Sequence, residues 1–417
     1  MPRKRVLIVG AGAAGMSCAH HLSNHPSDFE ITIIEPESYC GGQAFSIPID
    51  EARHGASWLN QGVQGGSGIF RHTFAMFRQQ GYDATPVNLQ VSFGKGDKFW
   101  TNVFPTKFHE KHAAEIKKFR RALKIIGWLP GVFLFVPIWL LVKIFRFSRE
   151  FANYMVLPTL ALFLGTGNAT PEVNSVILQK LFNSPTAGMW YDAEAAGKKA
   201  GVLVGNNPSM VVFPNLSEFY DTWKKTLITR GVDVRLNTKL MNVMDRSHNG
   251  VKVCISERTF ENRYERSIEV FDEIVFACAA DRAKSLLGDQ ATRRERFVLG
   301  GTTWSDDCTI THWDMEYMEK YYTNHFSEDQ VAENPNRDDT ARIAQGREFA
   351  PMYYIRSYDQ EPDKIEMISP PFLPPSYASG RTYETNMYGI YTPSTAPPTN
   401  RSFPSVQTAQ TPPSRYR

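Results

Sequence analysis

Cysteine is scarce: five residues in 417 (Cys18, Cys40, Cys254, Cys278 and Cys308), with no CxxC pair. That spacing argues against a disulfide framework or a cysteine-based zinc site and fits buried thiols in a reducing compartment. Charge is nearly balanced, at a formal +3, and the basic residues are scattered, so the chain carries no nucleic-acid footprint. No Ser-His-Asp set, metal-ligand spacing or paired carboxylates can be read. The loops "GKGDK" and "GTGNAT" lack P-loop spacing. A secretory leader is not expected either. Basic residues precede Val6–Val9, but that apolar run is four residues long, shorter than a signal h-region. The chain is expected to start in the cytoplasm, already inside its first strand.

What is present is globular in composition, with 42% hydrophobic and 21% charged residues over a length that suits two domains. Residues 4–9 predict a buried parallel strand, Ala13–Ser23 a helix rich in small residues, and "FEITIIEP" the next strand. "IFRHTFAMFRQQGY" has helical spacing and "VNLQVSFGKGDKFWTNVF" alternates like a hairpin. Residues 109–165 read as helical, followed by the amphipathic "PEVNSVILQKLF" and "LSEFYDTWKKTLITRG". Strands return with "VDVRLNTKLMNVMDR", "GVKVCIS" and "DEIVFACAA", the last running into the helix "DRAKSLLG". This order predicts an α/β fold in which a Rossmann-like domain is interrupted by an inserted, largely helical region. From Pro370 onward the chain holds ten of its 26 prolines and is expected to be disordered and dispensable.

The most informative stretch is "VLIVGAGAAG", which sets Gly10, Gly12 and Gly15 in GxGxxG spacing between strand and helix. Gly10 makes the tight turn, Gly12 lets backbone approach a pyrophosphate, and Gly15 lets helix and strand pack closely. The N–H groups at Ala13 and Ala14 then open a helix towards the phosphates. Glu35 ends the second strand, where a carboxylate can accept hydrogen bonds from ribose hydroxyls and repel a 2′-phosphate. A structural glycine turn is the bland alternative, but strand, motif, helix, strand and acid in this order point to a dinucleotide.

"EPESYCGG" places Gly41 and Gly42 six and seven residues after the acid. This resembles the E-x5-GG element of the flavin-containing amine oxidase and phytoene desaturase superfamily. "VNLQVSF", "GVDVRLNTKLMNV" and "FDEIVFACAADRAKSLL" are similar to successive strands of that fold. "ERFVLGGTTWSDDCTITHWD" is similar to a segment of the subfamily of NAD/FAD-binding proteins that includes fungal members. The resemblance covers roughly residues 4 to 355. It implies FAD as cofactor, lying along Gly10–Gly15, with the Leu240 strand in one sheet with the strand before that turn and its backbone near the adenine. It implies hydride transfer to the flavin from an apolar substrate, lipid-like, isoprenoid-like or polyketide-like, in a desaturase or amine-oxidase manner. On this footing 1–105 and 226–290 are the two parts of the FAD domain, and 106–225 the inserted region for substrate or membrane contact. Residues 291–365 are substrate-domain strands and 366–417 the tail.

Two positions depart from the family pattern. Tyr39 stands where the family has an arginine. After Arg347 the chain offers "EFAPMYYIRSYDQEPDKIEMISPPFLPPSY" and then the tail, without the family's glycine-rich strand and helix that face the flavin ring. An altered 3′ end of the reading frame is one explanation. A non-catalytic dinucleotide-binding relic is the alternative function. Catalytic residues cannot be read directly. His312 and Asp314 of "THWD" fall in the family-like segment and could face the flavin, although a lone histidine is more often structural. Tyr353 and Tyr354 suit a pocket wall or a core, and Cys40 suits packing. No metal site is expected.

The one long apolar run, Ile125–Val142, is 18 residues with Pro130 and Pro137 inside it and basic residues on both sides. Three readings stay open: shallow membrane association through Trp128, Phe133 and Trp139, a buried substrate-tunnel wall, or a span. Peripheral association is the expectation, because Lys117, Lys118, Arg120, Arg121, Lys124, Lys143, Arg146 and Arg149 suit anionic headgroups.

Overall fold

Val6–Val9 is an unbroken apolar run because the strand it forms is covered on both faces. This strand, β1 (Lys4–Val9), is one of the two inner strands of a four-stranded parallel sheet. It pairs with β2 (Phe29–Ile34) on one side and with Glu273–Phe276 on the other; Asp233–Arg235 adds to the far edge of β2. Between β1 and β2 runs α1 (Ala13–Leu22), which buries Gly15, Met16 and Ala19. The computed structural model describes residues 2–182, 210–301 and 326–335, apart from short loops at 55, 68–69, 88–90, 165 and 259–262. It also describes 320, 323, 340–347, 353–355 and 385–387. The chain divides into two units: Met1–Gly66 with Phe70–Thr85 and Val212–Trp304, and Ser67–Ile69 with Pro86–Val211 and Ser305–Arg417.

In the first unit, Thr238–Ser247, Gly250–Arg258 and Tyr264–Phe271 form a separate antiparallel sheet. The expectation that the Leu240 strand shares a sheet with the glycine turn is therefore corrected. The two sheets meet through side chains instead: Leu240, Val243, Val253 and Ile255 cluster with Leu7, Val9 and Ile34. One face of the antiparallel sheet is buried and the other is open to solvent, with Ile268 and Val270 exposed on it. Leu216–Thr229 is an amphipathic helix, opened by Asn215, whose side chain accepts from the Glu218 N–H. It buries Leu216, Phe219, Tyr220, Trp223 and Leu227. It belongs to the first unit, which resumes at Val212 after Thr85.

The second unit packs helices Lys107–Lys111, Ala113–Trp128, Pro130–Phe133 and Ile138–Ile144 around one large apolar cluster. The predicted hairpin is present as Val91–Phe93 against Trp100–Thr101, with Phe93 and Trp100 stacked at 4.0 Å. Trp100 Nε1 donates to the Tyr154 carbonyl at 2.7 Å, so the buried indole is satisfied. Val91–Phe93 also pairs in parallel with Tyr353–Ile355, which in turn pairs with Thr385–Met387. Those last three residues lie in the tail expected to be disordered. Their strand adds to the sheet edge through backbone hydrogen bonds. The rest of that tail lies outside the described residues.

The span reading of Ile125–Val142 is overturned. Among the described residues no helix is long and apolar enough to cross a membrane. The run breaks into three pieces at Leu129 and at Leu134–Pro137, as its two prolines require.

Candidate dinucleotide-binding site

The end of β1, the start of α1 and the segment after β2 converge within the first unit. Gly10 has φ +109°, and an added Cβ would stand 2.8 Å from the Ala277 carbonyl oxygen. Gly15 is tighter still: its Cβ would stand 1.9 Å from the Gly10 carbonyl oxygen. Both are therefore needed for the protein's own backbone to close. Gly12 differs. It is the N-cap of α1, with extended backbone, and a Cβ there meets nothing within 4 Å.

No side chain caps α1, so the N–H groups of its first turn, at Ala13 and Ala14, point from the helix end without a side-chain acceptor. That pairing of uncapped helix N-terminus and open backbone at Gly12 leaves a cradle of the kind that can take a phosphate. The positive end of the helix dipole favours the same charge.

Gly41 and Gly42 complete the cradle. The Gly41 N–H donates to the Ala11 carbonyl at 2.9 Å, and Gly12 and Gly41 form a parallel bridge. A Cβ on Gly42 would lie 3.5 Å from the Gly12 Cα, so the glycine pair presses directly on the turn. Gly41 itself, at φ +120°, has the Tyr220 ring beneath it: a Cβ would come within 2.8 Å of Tyr220 Cδ2. The spacing between Glu35 and the two glycines thus has a backbone cause, since it returns the chain to the first turn.

Glu35 sits between these parts. One carboxylate oxygen accepts from the Ala11 N–H at 2.8 Å and the other from the Glu37 N–H at 3.1 Å. Burial raises its pKa above the ordinary carboxylate value, and the two N–H donors work against that rise. The acid therefore ties the glycine turn to the end of β2, and each oxygen keeps a lone pair for a further donor. Next to it, the Asn237 N–H donates to the Glu37 carbonyl and the Thr238 N–H to the Glu35 carbonyl. This fixes the start of the Leu240 strand beside the acid, with the Leu240 side chain buried.

Cys40 is buried, and desolvation pushes its thiol up to about 11, which keeps it protonated and suits packing over redox chemistry. Tyr39, in place of an arginine, sets its ring 5.7 Å from that of Phe45. Sequence reasoning missed Ala11, Ala277 and Tyr220, the backbone and ring partners of the glycines. The small-residue run "ACAA" after Phe276 was the signal for Ala277. His312 and Asp314 lie outside the described residues, and of Tyr353 and Tyr354 only the strand pairing is described.

Residues 8–79 match the family of NAD(P)-binding Rossmann-like domains. No curated protein sequence matches the chain. Among solved structures, a triple mutant of putrescine oxidase redesigned in cofactor binding is similar at 15% identity and TM-score 0.50, covering 72% of this chain and 63% of that one. Cyclohexylamine oxidase from Brevibacterium oxydans is similar at 13% identity and TM-score 0.50, again over 72% and 63%. The chain thus spans 63% of the length of either relative. It carries an NAD(P)-binding Rossmann-like domain at its start and has the α/β fold of these two amine oxidases.

Proposed function

We propose that the chain is an FAD-dependent oxidoreductase acting on an apolar substrate, lipid-like, isoprenoid-like or polyketide-like. The observation that carries this reading is the open backbone of Gly12, closed in from behind by Gly41–Gly42. A purely structural turn would fill that space, as Gly10 and Gly15 do. The residues present fit a dinucleotide: Gly10–Gly15 and the N–H groups of Ala13 and Ala14 for the pyrophosphate, and Glu35 for a ribose hydroxyl. Glu35 would repel a 2′-phosphate, which argues against NADP. The glycine pair favours FAD over NAD, and the fold shared with two amine oxidases is in keeping with it.

When bound, the flavin accepts the hydride, so the protein's share is binding, orientation and exclusion of water. Glu35 contributes by holding the turn at Ala11 in register with β2. The second reading is a dinucleotide-binding protein without catalysis, in keeping with Tyr39 where the flavin family has an arginine. One experiment separates the two. The full chain is purified, its flavin content measured, and the loaded protein exposed anaerobically to a panel of amines and of apolar lipids and isoprenoids. Bleaching of the flavin by an apolar compound supports the enzyme. Stoichiometric FAD that no compound reduces, or NAD bound in the absence of flavin, supports the non-catalytic protein, and absence of flavin binding refutes the enzyme.

A further inference from the structure

The chain from Ile116 to Arg149 holds eight Lys and Arg residues and no Asp or Glu. In the Ala113–Trp128 helix, Lys117, Arg121, Lys124 and Trp128 follow one another at spacings of four, three and four residues, and all are exposed. They therefore share one face, with Ile116, Phe119, Ala122, Leu123 and Ile126 buried on the other. The basic face ends in an apolar tip. Trp128 is 79% exposed, Leu129 52%, Val132 56%, Leu134 47% and Phe135 81%.

This tip is built, not frayed. Its N–H groups are satisfied by a helical turn, from Leu129 to Ile125, Phe133 to Leu129, Leu134 to Pro130 and Phe135 to Val132. Phe133 points inward, buried, its ring stacked 6.4 Å from Phe145. The following residues are clamped by Ile138 N–H to the Val173 carbonyl at 3.0 Å and Ser175 N–H to the Val136 carbonyl at 2.8 Å. On the neighbouring helix Trp139 is 40% exposed, with Lys143 Nζ 4.8 Å from its ring centre. The Trp139 indole donates to Glu172 at 3.2 Å, so the acid at this rim is engaged.

A hydrogen-bonded turn that exposes Trp128 and Phe135 at the end of a basic helical face fits a lipid surface. Its aromatics suit the acyl boundary of a bilayer and its lysines and arginines the headgroup layer. We infer that the Trp128–Phe135 tip docks the second unit onto an anionic lipid surface. Insertion is shallow, since among the described residues no helix can cross. The inference is independent of the redox reading and holds for a non-catalytic protein as well.

The test is flotation of the full-length protein with phosphatidylserine-containing vesicles, against vesicles of phosphatidylcholine alone. Wild type should float with the anionic vesicles and be released by high salt. Trp128→Ser/Phe135→Ser should lower the partition at least roughly tenfold, as two large apolar side chains leave the acyl boundary. Arg121→Glu/Lys124→Glu, which keeps the tip intact, should lower it as well, whatever the folding of the first variant. Phe297→Ser, which alters a residue 82% exposed in the first unit, should float like wild type. Wild type that stays unbound, equal capture by neutral vesicles, or a serine variant that floats unchanged overturns the proposal. So does a concentration-dependent dimer without flotation that the serine variant abolishes, which would assign the tip to a second copy of this chain.

Discussion

Gly12→Val and Gly15→Ala, paired, separate a glycine kept for a ligand from one kept for the fold. At Gly15 the added Cβ would stand 1.9 Å from a backbone oxygen, far inside the ~3.5 Å of ordinary contact. Neither partner can rotate away, so α1 must lift off β1, at a cost of about 3 kcal/mol or more. At Gly12 the space is open and the backbone, φ −74° and ψ −177°, is one that valine adopts readily. Loss of a favoured N-cap residue costs about 0.5–1 kcal/mol, and the stiffer unfolded chain returns a similar amount. The cofactor-free Gly12→Val protein should therefore keep its stability to within about 1 kcal/mol. Its FAD affinity should fall at least ~100-fold, or about 2.7 kcal/mol, because the isopropyl group occupies the approach to the pyrophosphate. Thermal melting of both apo proteins, with FAD titration followed by fluorescence quenching, reads both effects. If Gly12→Val destabilises the apo protein as much as Gly15→Ala, or binds FAD like wild type, the reasoning fails.

Glu35→Gln should fold but bind FAD more weakly, because an amide can satisfy only one of the Ala11 and Glu37 N–H groups; titration should show a roughly tenfold weaker Kd. His109 is buried, and desolvation with help from His112 lowers its pKa to about 3. A depressed histidine makes the unfolded state bind more protons, so its stability contribution is present above the ordinary value of 6.5 and lost as pH falls towards 3. Calorimetry should find that His109→Gln flattens the stability loss between about pH 7 and 4.5 by roughly 2 kcal/mol. Glu295 is held down to about 2, first by Arg246 and then by the Thr292 N–H of its capping box. Its contribution is present above the ordinary carboxylate value and lost as pH falls through about 2. Both side chains are 32% exposed, so solvent screening limits the Glu295→Gln loss at pH 7 to about 1 kcal/mol. A loss of several kcal/mol would show that the pair is more buried than described.

Legibility in the sequence followed how local the cause was. The glycine turn, Glu35 and the Gly41–Gly42 return are set by backbone geometry within a few residues, so spacing alone located them. The role of Glu35 was only half visible, since its grip on the Ala11 N–H depends on where the next strand ends. The Leu240 strand was placed in the wrong sheet, although its pattern held a warning. Val6–Val9 is apolar throughout, whereas "KLMNVMDR" and "GVKVCIS" are broken by polar residues like a ribbon with one wet face. In Ile125–Val142 the prolines marked the breaks correctly, but hydropathy could not tell buried Phe133 from exposed Phe135. Two phenylalanines two residues apart are equal in hydropathy, and only the Phe145 ring and the Val173–Ser175 clamp decide which turns inward. The three-residue strand Thr385–Met387 left no signal, because its partner lies some thirty residues away.

The central claim is that the open turn at Gly12 holds FAD. The most direct measurement is the flavin content of the purified wild-type protein, by visible absorbance and by mass spectrometry of the compound released on denaturation. The account predicts about one FAD per chain, either co-purified or taken up on titration with micromolar affinity, and none in Gly12→Val. A colourless wild-type protein that fails to bind FAD at saturating concentration, or that binds NADP in preference, contradicts it.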